Sequence, residues 1–162
     1  MKIKLNKIKC VLSDVDGILT DGRLFYGASG EEIKTFHALD GIGFKSLKQS
    51  GLIVGIITAR NSAITQTRMQ ELGVELVYQG VKDKLKQCHE VAKEYNLNLD
   101  EIAYIGDDIP DFTLLKAAGF SATVPHAIDE IKQICDYCTR TVAGMGAFRE
   151  FADLILRNRI NE

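Results

Sequence analysis

Short apolar runs alternate with amphipathic stretches along most of the chain. "IKCVLS" (8–13), "IVGIIT" (53–58), "ELVYQ" (75–79), "IAYIG" (102–106) and "FSATV" (120–124) are rich in Val and Ile and are bounded by Gly, Thr, Asp or Pro. Runs of this length and composition predict short strands buried on both faces. Between and after them lie stretches with helical spacing. "GIGFKSLKQSG" (41–51) stops at Gly51, and "NSAITQTRMQELG" (61–73) opens on the capping types Asn61 and Ser62 and stops at Gly73. "DKLKQCHEVAKEYN" (83–96) sets Leu85, Cys88 and Ala92 on one face, and "PDFTLLKAAG" (110–119) begins with Pro110 and stops at Gly119. The tail "GAFREFADLILRNRI" (146–160) carries Phe148, Phe151, Leu154 and Ile155 on one stripe.

Strands alternating with helices predict an α/β fold: a doubly wound parallel sheet with helices on both faces. One segment breaks the alternation. "RLFY" (23–26) and "EIKTF" (32–36) flank "GASGE", which predicts a β-hairpin over about 22–37, inserted after the first strand. A hairpin there stands above the strand end, placed to shield a site or to pair with other subunits.

Composition narrows the picture only a little. The 162 residues, 46% apolar and 26% charged, suit one domain over 1–162 with its own core. A net charge of -2 gives no bulk attraction for nucleic acid or an anionic membrane. No segment approaches the roughly 20 apolar residues of a membrane span. The opening lysines are followed by an apolar run that Asp14 and Asp16 soon break, unlike a signal peptide, so a cytoplasmic location is expected. Cys10, Cys88, Cys135 and Cys138 do not suggest a disulfide framework, and "CDYC" lacks a second pair to complete a zinc site. His37, His89 and His126 are scattered and read as surface or satisfied polar residues.

The chemistry sits at the strand ends. In "CVLSDVDGILTDG" (10–22) an apolar strand runs into Asp14, Asp16 and Asp21. "IITAR" places Thr58 after the second strand, "VKDKL" places Lys84 at a helix start, and "YIGDDIPD" places Asp107, Asp108 and Asp111 after a later strand. A parallel sheet gathers all of these on one edge, where such folds bind ligands. Carboxylates at this density call for a cation, and oxygen-only ligands with room for water suit Mg²⁺. Mg²⁺ beside a lysine, a hydroxyl and free backbone N–H groups suits a phosphoryl group. An aspartate can take the phosphoryl group covalently, and a second carboxylate two residues on can protonate the leaving oxygen and then activate water. Taken singly, Thr58 is an ordinary strand-end residue, Lys84 a solvated helix residue, and Asp108 and Asp111 helix caps; only the set gives them this role.

"DVDGILTDG", "ITAR", the lysine of "DK" and "GDDIPD", in that order, resemble the four motifs of the haloacid dehalogenase superfamily of phosphatases. The resemblance implies Asp14 as nucleophile and Asp16 as general acid/base, with its main-chain carbonyl on the metal. It implies Asp107 as a further Mg²⁺ ligand, with Asp108 and Asp111 in support. Thr58 and Lys84, with amides near Gly17 and Ala59, would hold the phosphoryl oxygens; Arg60 and Asp21 are further candidates. The first two motifs leave no space for a large cap domain, only for the hairpin.

"DVDGILTDG", "GEEIKTF", "DGIG" and the tail "AGMGAFRE" also resemble the capless branch of 3-deoxy-D-manno-octulosonate 8-phosphate (KDO 8-phosphate) phosphatases. That resemblance implies a sugar acid phosphate substrate, lipopolysaccharide precursor synthesis, and a homotetramer with packed hairpins. Arg149, with Gly144 and Gly146, would close over the sugar acid. Leu39 and Met145 stand where that branch often has basic residues; phosphatases of nine-carbon sialic-type sugar acid phosphates are the alternative. A phosphoryl-accepting receiver domain shares the acidic Mg²⁺ site, but its acidic pair comes first and its phosphorylated aspartate lies on a later strand. Retention of every chemical residue argues against a silent scaffold. No G-x-G-x-x-G follows the first strand, which argues against dinucleotide binding.

Overall fold

The computed structural model describes residues 2–28, 30 and 32–159. Along the chain come α1 (Lys2–Asn6), β1 (Cys10–Ser13), β2 (Phe25–Tyr26), β3 (Glu32–Ile33), α2 (Ala38–Gln49), β4 (Ile53–Ile57), α3 (Ala63–Glu71) and β5 (Leu76–Tyr78). They are followed by α4 (Lys84–Glu94), β6 (Ile102–Ile105), α5 (Phe112–Ala117), β7 (Phe120–Thr123), α6 (Asp129–Ile134), β8 (Tyr137–Cys138) and α7 (Ala147–Asn158). The main sheet has the order β5-β4-β1-β6-β7-β8, with every neighbouring pair parallel. Four of the Val- and Ile-rich runs thus become the interior strands β1, β4, β6 and β7, with helices over both faces of the sheet, and the fifth becomes the edge strand β5. β1, β6 and β7 are buried throughout.

Helices α1, α2 and α7 pack together on one side, and α4, α5 and α6 on the other. The Phe44 and Phe148 rings stack at 4.1 Å between α2 and α7. β1 lies between β4 and β6, so the chain reverses its winding direction at β1. That reversal opens a crevice at the carboxyl end of β1, where Asp14 begins. No helix of the described residues is long and apolar enough to cross a membrane.

All five predicted strands are present. α1, α6 and β8 were not legible: none exceeds six residues, too few to show a period. The hairpin forms with shorter strands than expected, Phe25 opposite Ile33. Ser29 and Glu31 of its expected turn lie outside the described residues, as does 160–162 of the tail. The hairpin's outer surface is apolar: Phe25, Tyr26 and Ile33 are 49%, 62% and 60% exposed.

Helix α2 starts at Ala38, before the expected Gly41, because His37 caps it: its Nδ1 accepts from the Leu39 N–H at 3.3 Å. Asp40 is buried just inside, and its Oδ1 accepts from the Arg149 N–H at 2.9 Å. The N-cap of α7 is Gly146, which has no side chain to offer, so a carboxylate from α2 caps α7 instead. The other carboxylate oxygen, Oδ2, is buried without a hydrogen-bond partner among the described residues. Burial pushes Asp40 up from 3.8 to about 6, against the opposing pull of the α7 N–H groups. Between about pH 4 and 6 the folded chain therefore holds a proton that the unfolded chain has released. Stability from this group falls as pH rises through that window. Unfolding free energies measured from pH 4 to 7 should fall less for Asp40→Asn than for the wild type, by on the order of 2–3 kcal/mol. Equal slopes would rule out Asp40 as the source.

Candidate active site

β1 delivers Asp14 and β6 delivers Asp107 side by side, because the two strands pair in register with Ser13 beside Ile105. The Asp14 N–H donates to the Ile105 carbonyl at 2.9 Å, which continues the ladder one residue past the strand. The chain then turns: the N–H groups of Ile18, Leu19 and Thr20 all reach the Val15 carbonyl. Gly17 lies in this turn at φ +88°, and a Cβ there would stand 2.2 Å from Asp107 Oδ2. Only glycine allows that carboxylate to press against the loop.

Lys84, the first residue of α4, is 2% exposed and points into the cluster. Its Nζ lies 3.0 Å from Asp14 Oδ1, 2.6 Å from Asp111 Oδ1 and 3.4 Å from the Tyr104 hydroxyl. Asp111 has more than a capping role. Its Oδ1 accepts from Lys84 and Tyr104, and its Oδ2 accepts from the N–H groups of Asp107 and Asp108 at 3.1 and 3.3 Å. Both of its oxygens are thus occupied, and Asp111 fixes the loop that carries Asp107. Asp108 caps the short 3₁₀ turn Ile109–Asp111 by accepting from the Ile109 N–H at 2.8 Å.

Asp14 and Asp107 remain open. Asp14 Oδ1 accepts from the Val15 N–H at 2.7 Å and faces Lys84. Among the described residues neither Asp14 Oδ2 nor the Asp107 carboxylate has a hydrogen-bond partner. Oxygens of Asp14, Asp107 and Asp111 come within 4.8 Å of one another. Burial first, then repulsion from Asp111, raises Asp14, although Lys84 opposes the rise. Burial first, then repulsion from Asp14, raises Asp107 to about 7. Burial works against the charge of Lys84, but Asp14 and Asp111 outweigh it and hold its pKa above 10.5. The carboxylates of Asp14, Asp107 and Asp111 crowd around the Lys84 ammonium, so this cluster is short of positive charge. Its open donors are all oxygen, which suits a hard divalent cation.

Asp14, Asp16, Thr58, Ala59, Arg60, Lys84, Asp107, Asp108 and Asp111 all line one cleft of about 530 Å³. Thr58 is held there by two backbone bonds to the end of β5 and the loop after it: its N–H donates to the Tyr78 carbonyl at 2.9 Å and its carbonyl accepts from the Val81 N–H at 3.0 Å. Two residues outside the sequence expectation also belong to the site: Tyr104 and Lys34. A buried phenol in an apolar strand needs a hydrogen-bond partner, and that requirement was the signal for Tyr104. Lys34 donates to both oxygens of Asp16, at 2.8 and 3.0 Å.

Arg149 lies elsewhere. On α7 it pairs with Asp153, Nε to Oδ1 at 2.8 Å, and lines a separate depression of about 280 Å³ together with Leu39 and Met145. The three positions singled out for a sugar acid therefore share one surface, away from the acidic cleft of their own chain. Gly144 donates to the Ile18 carbonyl at 3.0 Å, which ties the tail to the loop after β1. Asp21 does not line the cleft; its Oδ1 accepts from the Arg23 N–H at 3.0 Å.

The haloacid dehalogenase-like hydrolase family profile matches residues 63–150. The 3-deoxy-D-manno-octulosonate 8-phosphate phosphatase of Haemophilus influenzae is 41% identical over 157 residues, 97% of this chain and 87% of that one. The chain belongs to this family of haloacid dehalogenase-like hydrolases. The Yersinia pestis member is 38% identical over 92% of this chain and 80% of its own length. Among solved structures, the Moraxella catarrhalis phosphatase in complex with magnesium, phosphate and KDO superposes with a TM-score of 0.95. It is 42% identical, over 98% of this chain and 91% of that one. The cobalt-bound H. influenzae structure gives a TM-score of 0.93 at 40% identity, over 96% of this chain and 91% of that one.

Proposed function

We propose that this family member is a Mg²⁺-dependent phosphatase that hydrolyses KDO 8-phosphate to KDO and phosphate through a phosphorylated Asp14, in lipopolysaccharide precursor synthesis. The observation that carries the reading is the juxtaposition of an open Asp14 Oδ2 with Lys84, Thr58 and Asp107 in one cleft. A relative at 42% identity binding magnesium, phosphate and KDO supports the substrate class.

The open oxygens of Asp14 and Asp107, with the main-chain carbonyl of Asp16, would hold Mg²⁺. Bound there, the ion neutralises the crowded carboxylates and draws electron density from a phosphoryl oxygen. Lys84, the Thr58 hydroxyl and the amides near Gly17 and Ala59 hold the other phosphoryl oxygens. Asp14 attacks phosphorus as the bond to the sugar oxygen breaks. The Asp16 carboxyl gives its proton to that oxygen, then takes one from the water that cleaves the acyl phosphate and regenerates Asp14. The chain acts as a homotetramer in the cytoplasm, with the apolar hairpin face at a subunit contact and Arg149 serving a neighbour's cleft.

Phosphate release from KDO 8-phosphate, a sialic acid 9-phosphate and a hexose phosphate tests the reading. KDO 8-phosphate should be preferred by at least about tenfold in kcat/KM, the step worth about 1.4 kcal/mol, and EDTA should stop release. Preference for the nine-carbon substrate would overturn the assignment of substrate. Silence on every phosphomonoester would overturn the assignment of activity.

A further inference from the structure

The hairpin reaches into the cleft as well as away from it. Lys34 follows β3, and its side chain is only 1% exposed. Its ammonium donates to Asp16 Oδ1 at 2.8 Å and Oδ2 at 3.0 Å, a two-pronged hold on a carboxylate that is 24% exposed. The other hairpin strand contributes indirectly. The Tyr26 hydroxyl accepts from Arg60 Nη1 at 3.0 Å, and Arg60 Nε lies 3.6 Å from Asp16 Oδ2. The Thr20 hydroxyl reaches Asp16 Oδ1 at 3.4 Å. The two shortest of these contacts to Asp16 therefore both come from Lys34.

A buried lysine gives up its hydration, and a carboxylate regains that energy only at good distance and geometry. Such a pair can be merely structural. Here it grips the carboxylate that lines the cleft two residues after Asp14, and it comes from the one segment that interrupts the strand–helix alternation. We infer that Lys34 is a positioning residue: the hairpin uses it to aim the Asp16 carboxylate into the cleft. The inference deepens the proposed reaction and rests on Asp16 handling the proton of the leaving oxygen. It also gives the hairpin's exposed face a link to chemistry, because whatever seats that face seats Lys34.

The test pairs Lys34→Met, which keeps the apolar stem, with Lys34→Arg, which keeps a charged donor. Crystal structures of the free Lys34→Met protein should show the Asp16 carboxylate displaced or spread over several rotamers, and Lys34→Arg should restore one position. In turnover with Mg²⁺, Lys34→Met should lower kcat for KDO 8-phosphate at least about tenfold with KM within about twofold, the pattern of a lost transition-state interaction. The loss should be smaller for p-nitrophenyl phosphate, whose leaving group needs no proton. Lys34→Arg should recover most of the difference. An unmoved Asp16 in Lys34→Met, or equal losses on both substrates, would overturn the inference. The crystallographic arm does not depend on the substrate. A wild type inactive on KDO 8-phosphate would thus sink the substrate reading while this inference is still decided.

Discussion

Asp14→Asn is expected to abolish phosphate release while leaving the folded state as stable as the wild type, or more stable. The two halves have one origin. Asp14 is 7% exposed and shares a crowded cluster with Asp111 and Asp107, in which Lys84 is the ammonium that lies between Asp14 and Asp111. Burial and repulsion from Asp111 raise its pKa, so its negative charge is a burden on the folded state. An amide removes that charge and keeps the shape. The amide oxygen would still accept from the Val15 N–H and from Lys84, and the amide nitrogen would take the place of Asp14 Oδ2, which has no partner among the described residues. An amide is no nucleophile towards phosphorus, so turnover should drop by about 10⁴ or more, the scale seen when a covalent nucleophile is removed. Calorimetry should give an unchanged or higher Tm, because catalytic groups are often held against the stability of the fold. Turnover near the wild-type rate would remove Asp14 as the nucleophile. A Tm several degrees lower would show that its carboxylate supports the fold rather than straining it.

The strand ends were legible in the sequence because their chemistry is local. Each candidate residue follows directly on an apolar strand or opens a helix, so a correct sheet direction was enough to bring Asp14, Thr58, Lys84 and Asp107 together. Lys34 was hidden for the opposite reason. Ordinary alternation puts an isoleucine inward and a lysine outward. Here Ile33 is exposed and Lys34 buried, because the hairpin turns its apolar face to the surroundings and its charge toward Asp16. No pattern within "EIKTF" reveals which face meets the domain. Asp111 was legible as a candidate but not as the hub it is. Its bonds to Lys84 and Tyr104 span 27 and 7 residues, and such contacts exist only after the sheet has formed. β8 was hidden inside "CDYC" because a two-residue edge strand, pairing Tyr137 with Ala122, is too short to show an alternating pattern. The four cysteines are free thiols; Cys10 and Cys88 are buried in the core and Cys138 is exposed.

Lys84→Met should be the most damaging substitution for the fold. The methionine keeps the stem but removes the cation that separates Asp14 from Asp111, at 3.0 and 2.6 Å. Both carboxylates are buried, and Asp111 is 1% exposed, so water cannot replace the lost charge. Breaking a buried ion pair by deleting one partner typically costs about 3–5 kcal/mol, because the other charge is left uncompensated. Urea denaturation should show a midpoint shift of that size at unchanged m. Activity should fall as well, by about 10²–10³ for the loss of one charged phosphoryl donor. A double variant separates the two effects. Adding Asp111→Asn removes the new repulsion between Asp14 and Asp111, so Lys84→Met/Asp111→Asn should be more stable than the sum of the single losses predicts, by a coupling energy of about 1–3 kcal/mol. It should not regain turnover, because the donor is still missing. Strict additivity of the two stability losses would mean that Lys84 and Asp111 act on separate parts of the fold.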